Sequence, residues 1–280
     1  MNDMPDTRFT PISGIDSHAH VFSRELSLAA ARRYTPGYDA TLAQYQSQLQ
    51  ANGFSHGVLV QPSFLGTDNR YLLAALKQAP QHLRGVVVLD PGTERAQMRE
   101  LAGQGVVGAR LNLMGCALPD FNQPVWKAFL GNIAALGWHI ELHRQVEDLP
   151  GLLRQLKPFG IKVVIDHFGR PDARLGLEQP GFRQMLELGQ GGQVWMKVSG
   201  IYRLAGTEQQ NLDFARAALR LLQQSLGPER LVWGSDWPHT QHEERVSYTS
   251  VVQQLDALEC PAEVRHALLV EAPRALFGFE

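Results

Sequence analysis

Short apolar runs alternate with longer segments of helical spacing along the whole chain. The runs are rich in Val, Ile, Leu and Trp, and most follow a Gly or a Pro, as buried strands do. Between the runs, apolar residues recur every three or four positions, as Leu42, Tyr45 and Leu49 do, which is typical of amphipathic helices. We interpret eight runs as strands, at residues 15–20, 56–62, 83–90, 106–112, 138–143, 162–167, 193–199 and 230–236.

Strands that alternate with helices predict a parallel sheet joined by crossover helices. An open doubly wound sheet would favour a glycine-rich phosphate loop, but neither GxGxxG nor GxxxxGK[ST] occurs. The count of eight instead favours a closed (β/α)8 TIM barrel, an α/β fold, as a single domain over residues 1–280. The long first connection, at residues 21–38, predicts a flap over the barrel mouth. Residues 261–271 predict an extra C-terminal helix that packs outside the barrel.

Polar side chains stand at the end of every run, where the catalytic groups of barrel enzymes lie. His18 and His20 share one face of the first strand because strand side chains alternate, and Asp236 ends the last strand. Barrel interiors are normally bulky and apolar, so packing alone does not explain these residues. The other polar groups at or just beyond strand ends are Gln61, Ser63, Asp90, Arg110, Asn112, Glu141, His143, Asp166, His167, Arg170, Lys197, Ser199 and Arg203.

The histidines and Asp236 leave two kinds of chemistry open. A divalent ion such as Zn or Mn suits imidazole and carboxylate ligands, and the ligand set predicted for it is His18, His20, His143 and Asp236. Asp236 can equally act as a general base without a metal, and the sequence shows no basic neighbour beside it. The cofactor is therefore either absent or one divalent metal.

The arginines predict an anionic substrate, because a guanidinium binds a carboxylate through two hydrogen bonds. Arg110, Arg170 and Arg203 lie at or just beyond three different strand ends. Local pairs are the competing interpretation, such as Arg170 with Asp172. For Glu141, the alternative to a catalytic role is a buried pair with Lys197. Of the remaining histidines, we expect His139 to be structural. The others, His56, His82, His239, His242 and His266, are expected on the surface or in loops.

Composition narrows the class of protein. The chain has 280 residues, 44% hydrophobic and 19% charged, with a net charge of −2, which gives no reason to expect nucleic acid or a membrane surface as partner. Two distant cysteines without a CxxC motif favour a reducing compartment. The first ten residues are polar, unlike a signal peptide, so we expect a cytoplasmic protein with a small-molecule partner. A homo-oligomer is compatible with the sequence.

Several stretches resemble the amidohydrolase superfamily. They are Asp16-Ser-His-Ala-His-Val-Phe22, Asp166-His-Phe-Gly-Arg-Pro171 and Trp233-Gly-Ser-Asp-Trp-Pro-His239, with shorter matches at residues 61–69, 85–88, 108–112, 137–139 and 197–199. The resemblance runs from about residue 15 to residue 276. Within the superfamily, the chain is most similar to the branch of the 2-pyrone-4,6-dicarboxylate lactonases and sugar-acid lactonases.

That resemblance implies a TIM-barrel hydrolase that opens a small carboxylated lactone, with a water activated by Asp236. It implies that His18, His20 and His167 line the reacting carbonyl. Ser63, Arg110, Arg170 and Arg203 would hold substrate carboxylates. His143 replaces a tyrosine of the pyrone lactonases in the substrate pocket, and the loop 113–118 lacks their basic residue.

The second departure puts the pyrone dicarboxylate itself in question, and His143 restores a complete metal-ligand set. The pyrone lactonases resemble metal-independent members. The alternative function is therefore a metal-dependent decarboxylase or amidohydrolase of a small organic acid. A non-catalytic ligand-binding barrel is a third class, which the intact HxH motif and Asp236 disfavour.

Overall fold

Eight short strands form one sheet in the computed structural model, which describes residues 11–280. All neighbouring strands are parallel, and their order in the sheet follows their order in the chain. The strands are β1 Ile15–Ala19, β2 His56–Val60, β3 Leu83–Val87, β4 Val106–Asn112, β5 His139–His143, β6 Val163–Ile165, β7 Val194–Ser199 and β8 Leu231–Gly234.

The sheet closes into a barrel because β1 meets the chain that follows β8. Asp236 N donates to His18 O at 2.8 Å, and His20 N donates to Trp237 O at 2.8 Å. These hydrogen bonds continue the parallel pairing beyond the formal end of β8. The predicted (β/α)8 barrel is therefore confirmed, with strands somewhat shorter than the apolar runs.

Helices surround the barrel and connect its strands. The helices that follow β1 to β8 in turn are α1 Leu42–Ala51, α2 Arg70–Gln78, α3 Arg95–Gly103, α4 Pro124–Ala135, α5 Leu149–Leu156, α6 Pro180–Gly189, α7 Glu208–Leu226 and α8 Tyr248–Asp256. No helix within residues 11–280 has the length and apolar character that crossing a membrane requires.

Alternate residues of each strand face the barrel interior and the helices. On β7, Met196 and Val198 join the apolar layer under the helices, whereas Lys197 and Ser199 face inward and contact other strands' side chains. This alternation places the polar residues of the strands in the middle and upper part of the barrel. The lower interior is apolar, with Ile15, Val58, Val86, Val164 and Val232 in one buried cluster.

The predicted C-terminal segment packs against the outer apolar layer through Val264 and Leu268, and the chain then continues into a further helix that enters the barrel. The predicted segment forms α9 Ala262–His266 and a π-helical turn Ala267–Glu271, which continue into α10 Ala272–Phe277. Leu276 and Phe277 join the apolar cluster in the lower barrel, and the Phe277 ring lies 5.5 Å from that of His139. Helix α10 therefore closes the bottom of the barrel, leaving the opposite end as its mouth.

Candidate active site

A pocket opens at the carboxyl ends of the strands. The predicted site residues that line it are His20, Ser63, Arg110, His143, His167, Arg170, Arg203 and Asp236. His18 lies directly beneath, completely buried. The structure thus brings every predicted catalytic and substrate-binding residue to one end of the barrel.

Three imidazoles surround the carboxylate of Asp236. The Nε2 atoms of His18 and His20 lie 3.8 Å and 3.7 Å from Asp236 Oδ1, and His167 Nε2 lies 3.9 Å from Oδ2. These separations are too long for strong direct hydrogen bonds. They leave room for a small group, such as a water molecule or a carbonyl oxygen, among four polar side chains.

Uncommon backbone conformations aim two of these side chains into the pocket. Asp236 has φ of 59° and His167 has φ of 52°, values that residues other than glycine seldom adopt. Gly200 faces the His167 ring so closely that a Cβ there would come within 2.8 Å of Nδ1. Ser199 Oγ lies 2.8 Å from the same Nδ1 and fixes the ring.

A buried carboxylate that sequence reasoning gave no role, Asp16, ties the first strand to the last. Its Oδ1 accepts from Ser235 N at 2.8 Å, and its Oδ2 accepts from Ser235 Oγ at 2.6 Å. The hydroxyls of Tyr45 and Tyr248 also donate to Oδ2, from α1 and α8. Because Asp16 and Ser235 adjoin the HxH motif and Asp236, these bonds set the spacing across the site.

Asp236 has a basic neighbour, which corrects the expectation from the sequence. Arg203 Nε donates to Asp236 Oδ2 at 2.5 Å, and the Tyr202 hydroxyl donates to the same oxygen at 2.6 Å. Burial alone would raise the pKa of Asp236, but Arg203 and the nearby histidines hold it well below its usual value. Asp236 is therefore a carboxylate with one oxygen held and Oδ1 directed at the histidines.

A buried network of charges lies beneath the pocket. Lys197 Nζ donates to Glu141 Oε2 at 2.5 Å, which confirms that predicted pair, and lies 3.6 Å from Asp166 Oδ1. Arg110 Nη2 donates to Asp166 Oδ2 at 2.9 Å. Burial raises the pKa of Glu141 to about 7, helped by the neighbouring charge of Asp166. The guanidinium of Arg110, predicted to bind substrate, is thus already paired with a carboxylate.

Two arginines at the mouth have no carboxylate within 4 Å among residues 11–280: Arg170 and Arg33. The alternative partner of Arg170, Asp172, pairs with Arg174 instead. Burial, followed by repulsion from Arg203, lowers the pKa of Arg170 to about 10, so it is still a cation at neutral pH. These two guanidiniums are the cations most available to an anionic ligand.

Arg33 was missed by sequence reasoning, although the flap that carries it was predicted. The flap begins where Phe22 and Ala40 exchange backbone hydrogen bonds of 2.8 Å and 2.9 Å. Arg33 and Tyr34 then line the pocket, and Arg33 Nη2 donates to Asn112 Oδ1 at 3.2 Å. The length of the connection was the signal that could have found them. The predicted flap over the mouth is confirmed.

Two further histidines are more buried than a surface position would allow. His239 lies in the loop after β8, as expected, but it is only 2% exposed and lies beside Tyr202, with ring centroids 5.8 Å apart. His56 is buried at the bottom of the barrel against Phe279. His139 is buried at the same end, as expected for a structural residue.

The side chains do not assemble the predicted metal set. Within residues 11–280, the groups of three ligand residues whose atoms lie within 4.8 Å of one another are His18–His167–Asp236 and His18–Glu141–Asp166. His20 and His143, which the predicted set included, belong to neither group. Lys197 contacts His18 Nδ1 at 2.8 Å, and Arg203 occupies Asp236 Oδ2. These two cations contact the atoms that face away from the pocket and add positive charge beside it, which disfavours a resident divalent ion without blocking His18 Nε2 or Asp236 Oδ1.

Fold and site together define a barrel hydrolase with a buried carboxylate among histidines. The sequence pattern of the amidohydrolase family matches residues 15–279. The chain belongs to this family, and it is a hydrolase.

Among its relatives, a 2-pyrone-4,6-dicarboxylate hydrolase of Comamonas testosteroni is 32% identical over 95% of this chain and 90% of its own. Two crystal structures of candidate 2-pyrone-4,6-dicarboxylic acid hydrolases are also similar. The one from Pseudomonas putida is 60% identical, with a TM-score of 0.93, over 97% of this chain and 99% of that one. The one from Acinetobacter baumannii, with citric acid bound, is 42% identical, with a TM-score of 0.93, over 96% and 100% of the two chains.

Proposed function

We propose that this protein hydrolyses a small lactone carrying at least one carboxylate, of the 2-pyrone-4,6-dicarboxylate type, without a metal. The observation that carries the proposal is the convergence of His18, His20 and His167 on the carboxylate of Asp236. The relatives described above support the choice of a carboxylated lactone. The citric acid in one of them supports an anion-binding pocket in this part of the family.

In the proposed reaction, water lies between Asp236 Oδ1 and the imidazoles and attacks the lactone carbonyl. Asp236 takes the proton of the water as the new C–O bond forms. An imidazole that directs an N–H group into the pocket stabilises the negative charge that develops on the carbonyl oxygen. The bond to the ring oxygen then breaks, and Asp236 returns the proton to that oxygen. The product is an open-chain acid.

The substrate is held by the cationic side of the pocket. Arg170 is the primary carboxylate ligand in this proposal, because no acidic partner within residues 11–280 competes for it. Ser63 and His143 add polar contacts at the mouth. Arg110 and Arg203 contribute positive charge while they also anchor Asp166 and Asp236.

Replacement of Asp236 by asparagine tests the base. Asp236→Asn keeps the shape of the side chain and removes its basicity, so we expect kcat for ring opening to fall by about 10²–10⁴-fold. The assay is proton release from a panel of carboxylated lactones. Asp90→Asn is the matched control, because Asp90 is an exposed carboxylate just after another strand. Wild-type kcat in Asp236→Asn would exclude the assignment.

Metal analysis separates the proposal from the alternative of a metal-dependent decarboxylase or amidohydrolase. We expect protein purified without added metal to contain no stoichiometric zinc or manganese and to keep full activity with a chelator. A stoichiometric metal, together with activity lost on chelation and restored by Zn²⁺ or Mn²⁺, would favour the metal-dependent alternative.

A further inference from the structure

The two histidines of the HxH motif have different hydrogen-bond partners behind them. His18 Nδ1 lies 2.8 Å from Lys197 Nζ, and both side chains are completely buried. His20 Nδ1 lies 2.7 Å from the backbone carbonyl oxygen of Val60. An ammonium group can only donate a hydrogen bond, and a carbonyl oxygen can only accept one. At its own Nδ1, His18 must therefore accept a hydrogen bond, whereas His20 must donate one.

The ammonium of Lys197 determines which nitrogen of His18 carries the proton. Burial, followed by the charge of Lys197, lowers the pKa of His18 well below its usual value, so the ring is neutral at pH 7. Since Nδ1 accepts from Lys197, the single proton of the neutral ring must lie on Nε2. This nitrogen is buried, has no hydrogen-bond partner within residues 11–280, and lies 3.8 Å from Asp236 Oδ1.

The competing arrangement would place the proton on Nδ1, where carboxylates could accept it. Asp166 Oδ1 lies 3.4 Å and Glu141 Oε1 lies 3.5 Å from that atom, both beyond a strong hydrogen bond. An Nδ1–H group would also point at the ammonium of Lys197 at 2.8 Å. Lys197 is itself held by Glu141 Oε2, so it cannot easily turn away.

We propose that Lys197 is a positioning residue that keeps His18 in the Nε2–H form, so that His18 donates a hydrogen bond to the lactone carbonyl oxygen. The inference rests on the proposed function for the identity of the acceptor. His20, whose Nδ1–H donates to Val60, presents an unprotonated Nε2 and accepts a hydrogen bond from the attacking water. The HxH motif thus supplies one donor and one acceptor instead of two metal ligands.

Nitrogen-15 NMR of histidine-labelled protein tests the tautomers directly, because the two ring nitrogens have distinct shifts when protonated and unprotonated. His18→Asn and His20→Asn variants assign the signals. In the wild type we expect His18 to be protonated on Nε2 and His20 on Nδ1. A wild-type His18 protonated on Nδ1 would overturn the proposal.

Lys197→Met alone would leave Glu141 as an unpaired buried charge, so the informative variant is Lys197→Met with Glu141→Gln. We expect His18 to move its proton to Nδ1, facing Asp166, and kcat to fall about 10²–10³-fold, as when one oxyanion donor is lost. KM should change less than kcat. Glu141→Gln alone, which keeps the lysine, should retain the wild-type tautomer.

Lys197→Arg also presents only donors and should keep His18 protonated on Nε2. If the double variant of Lys197→Met with Glu141→Gln kept His18 protonated on Nε2, Lys197 would not be the residue that positions the His18 proton. The NMR result does not depend on a substrate. If no carboxylated lactone is hydrolysed but the tautomers are as stated, the proposed function fails and the role of Lys197 in orienting His18 stands.

Discussion

The two oxygens of Asp236 have different environments. Oδ2 accepts hydrogen bonds from Arg203 Nε at 2.5 Å and the Tyr202 hydroxyl at 2.6 Å, whereas Oδ1 faces His18 and His20 across a gap. A carboxylate held through one oxygen presents the other in a fixed direction, which suits a base that must meet a water molecule. In the proposed reaction, Arg203 therefore orients the base and also adds positive charge to the pocket.

Removal of the Tyr202 hydroxyl tests this arrangement. Tyr202→Phe deletes one hydrogen bond to a charged oxygen, a loss of about 1.5–3 kcal/mol. We expect kcat to fall by roughly 10-fold or more with little change in KM. Because the hydroxyl favours the ionised carboxylate, its removal should also shift the acidic limb of the kcat profile to higher pH.

Tyr71→Phe is the matched control, since Tyr71 lies on α2 away from the pocket lining and should leave both kcat and its pH profile unchanged. An unaltered kcat in Tyr202→Phe would show that Arg203 alone orients the base.

At the scale of residues, the sequence predicts which side chains meet, but of their pairings only Lys197 with Glu141. His18, His20, His167 and Asp236 were found because strand ends converge in a barrel, and this follows from order along the chain. The bond from Arg203 to Asp236 was not found, because it depends on how a turn after β7 directs a long side chain. The contact of Lys197 with His18 likewise joins residues on strands far apart in sequence.

The flap between β1 and α1 brings the guanidinium of Arg33 to the barrel mouth. The loop after β4, at residues 113–118, carries no basic residue there. Arg33 extends from the flap, and its Nη2 donates to Asn112 Oδ1 at the end of β4. The Arg33 side chain also lies against the following loop, since a Cβ added to Gly115 would lie 3.5 Å from Arg33 Cδ. The flap is also attached to the loop after β8, since the Tyr34 hydroxyl donates to Glu243 Oε1 at 2.5 Å. Arg33 is thus placed to contact the outer end of a ligand bound to Arg170 in the proposed way.

Arg33→Met should discriminate between lactones with one and two carboxylates. Loss of a charge-assisted contact to the second carboxylate should raise KM for a dicarboxylated lactone about 10-fold, equivalent to about 1.4 kcal/mol. KM for a monocarboxylated lactone should not change. Arg32→Met is the control, because Arg32 is exposed and bonds Thr35 and the Ala29 carbonyl instead of facing the pocket. Equal effects on both lactones would assign Arg33 to flap structure only.

At the scale of elements, periodicity predicted the strands well and the C-terminal helix in part, and the length of the first connection predicted the flap. A helical pattern shows that one face is apolar, but not which surface that face covers. Leu276 and Phe277 lie beyond the predicted helix and enter the bottom of the barrel. The predicted segment 261–271 ended before the residues that determine where the helix packs.

Across the whole molecule, several histidines are buried, and their burial makes the free energy of unfolding depend on pH. Burial lowers the pKa of His20, His56 and His239 to about 4 and that of His139 to about 3. The unfolded chain binds these protons near pH 6.5, whereas the folded protein does not. The unfolded state therefore holds more protons between pH 6.5 and about 4, and folding stability must fall as the pH is lowered through this window.

Each such histidine contributes a slope of up to about 1.4 kcal/mol per pH unit to the free energy of unfolding. We expect urea midpoints to drop steeply from pH 7 to pH 5. His139→Gln removes one of these groups at the bottom of the barrel, away from the pocket, and should flatten the slope by up to about 1.4 kcal/mol per pH unit. His266→Gln, at an exposed histidine, is the matched control. Equal slopes in the two variants would mean that the folded protein binds a proton at His139 as readily as the unfolded chain does.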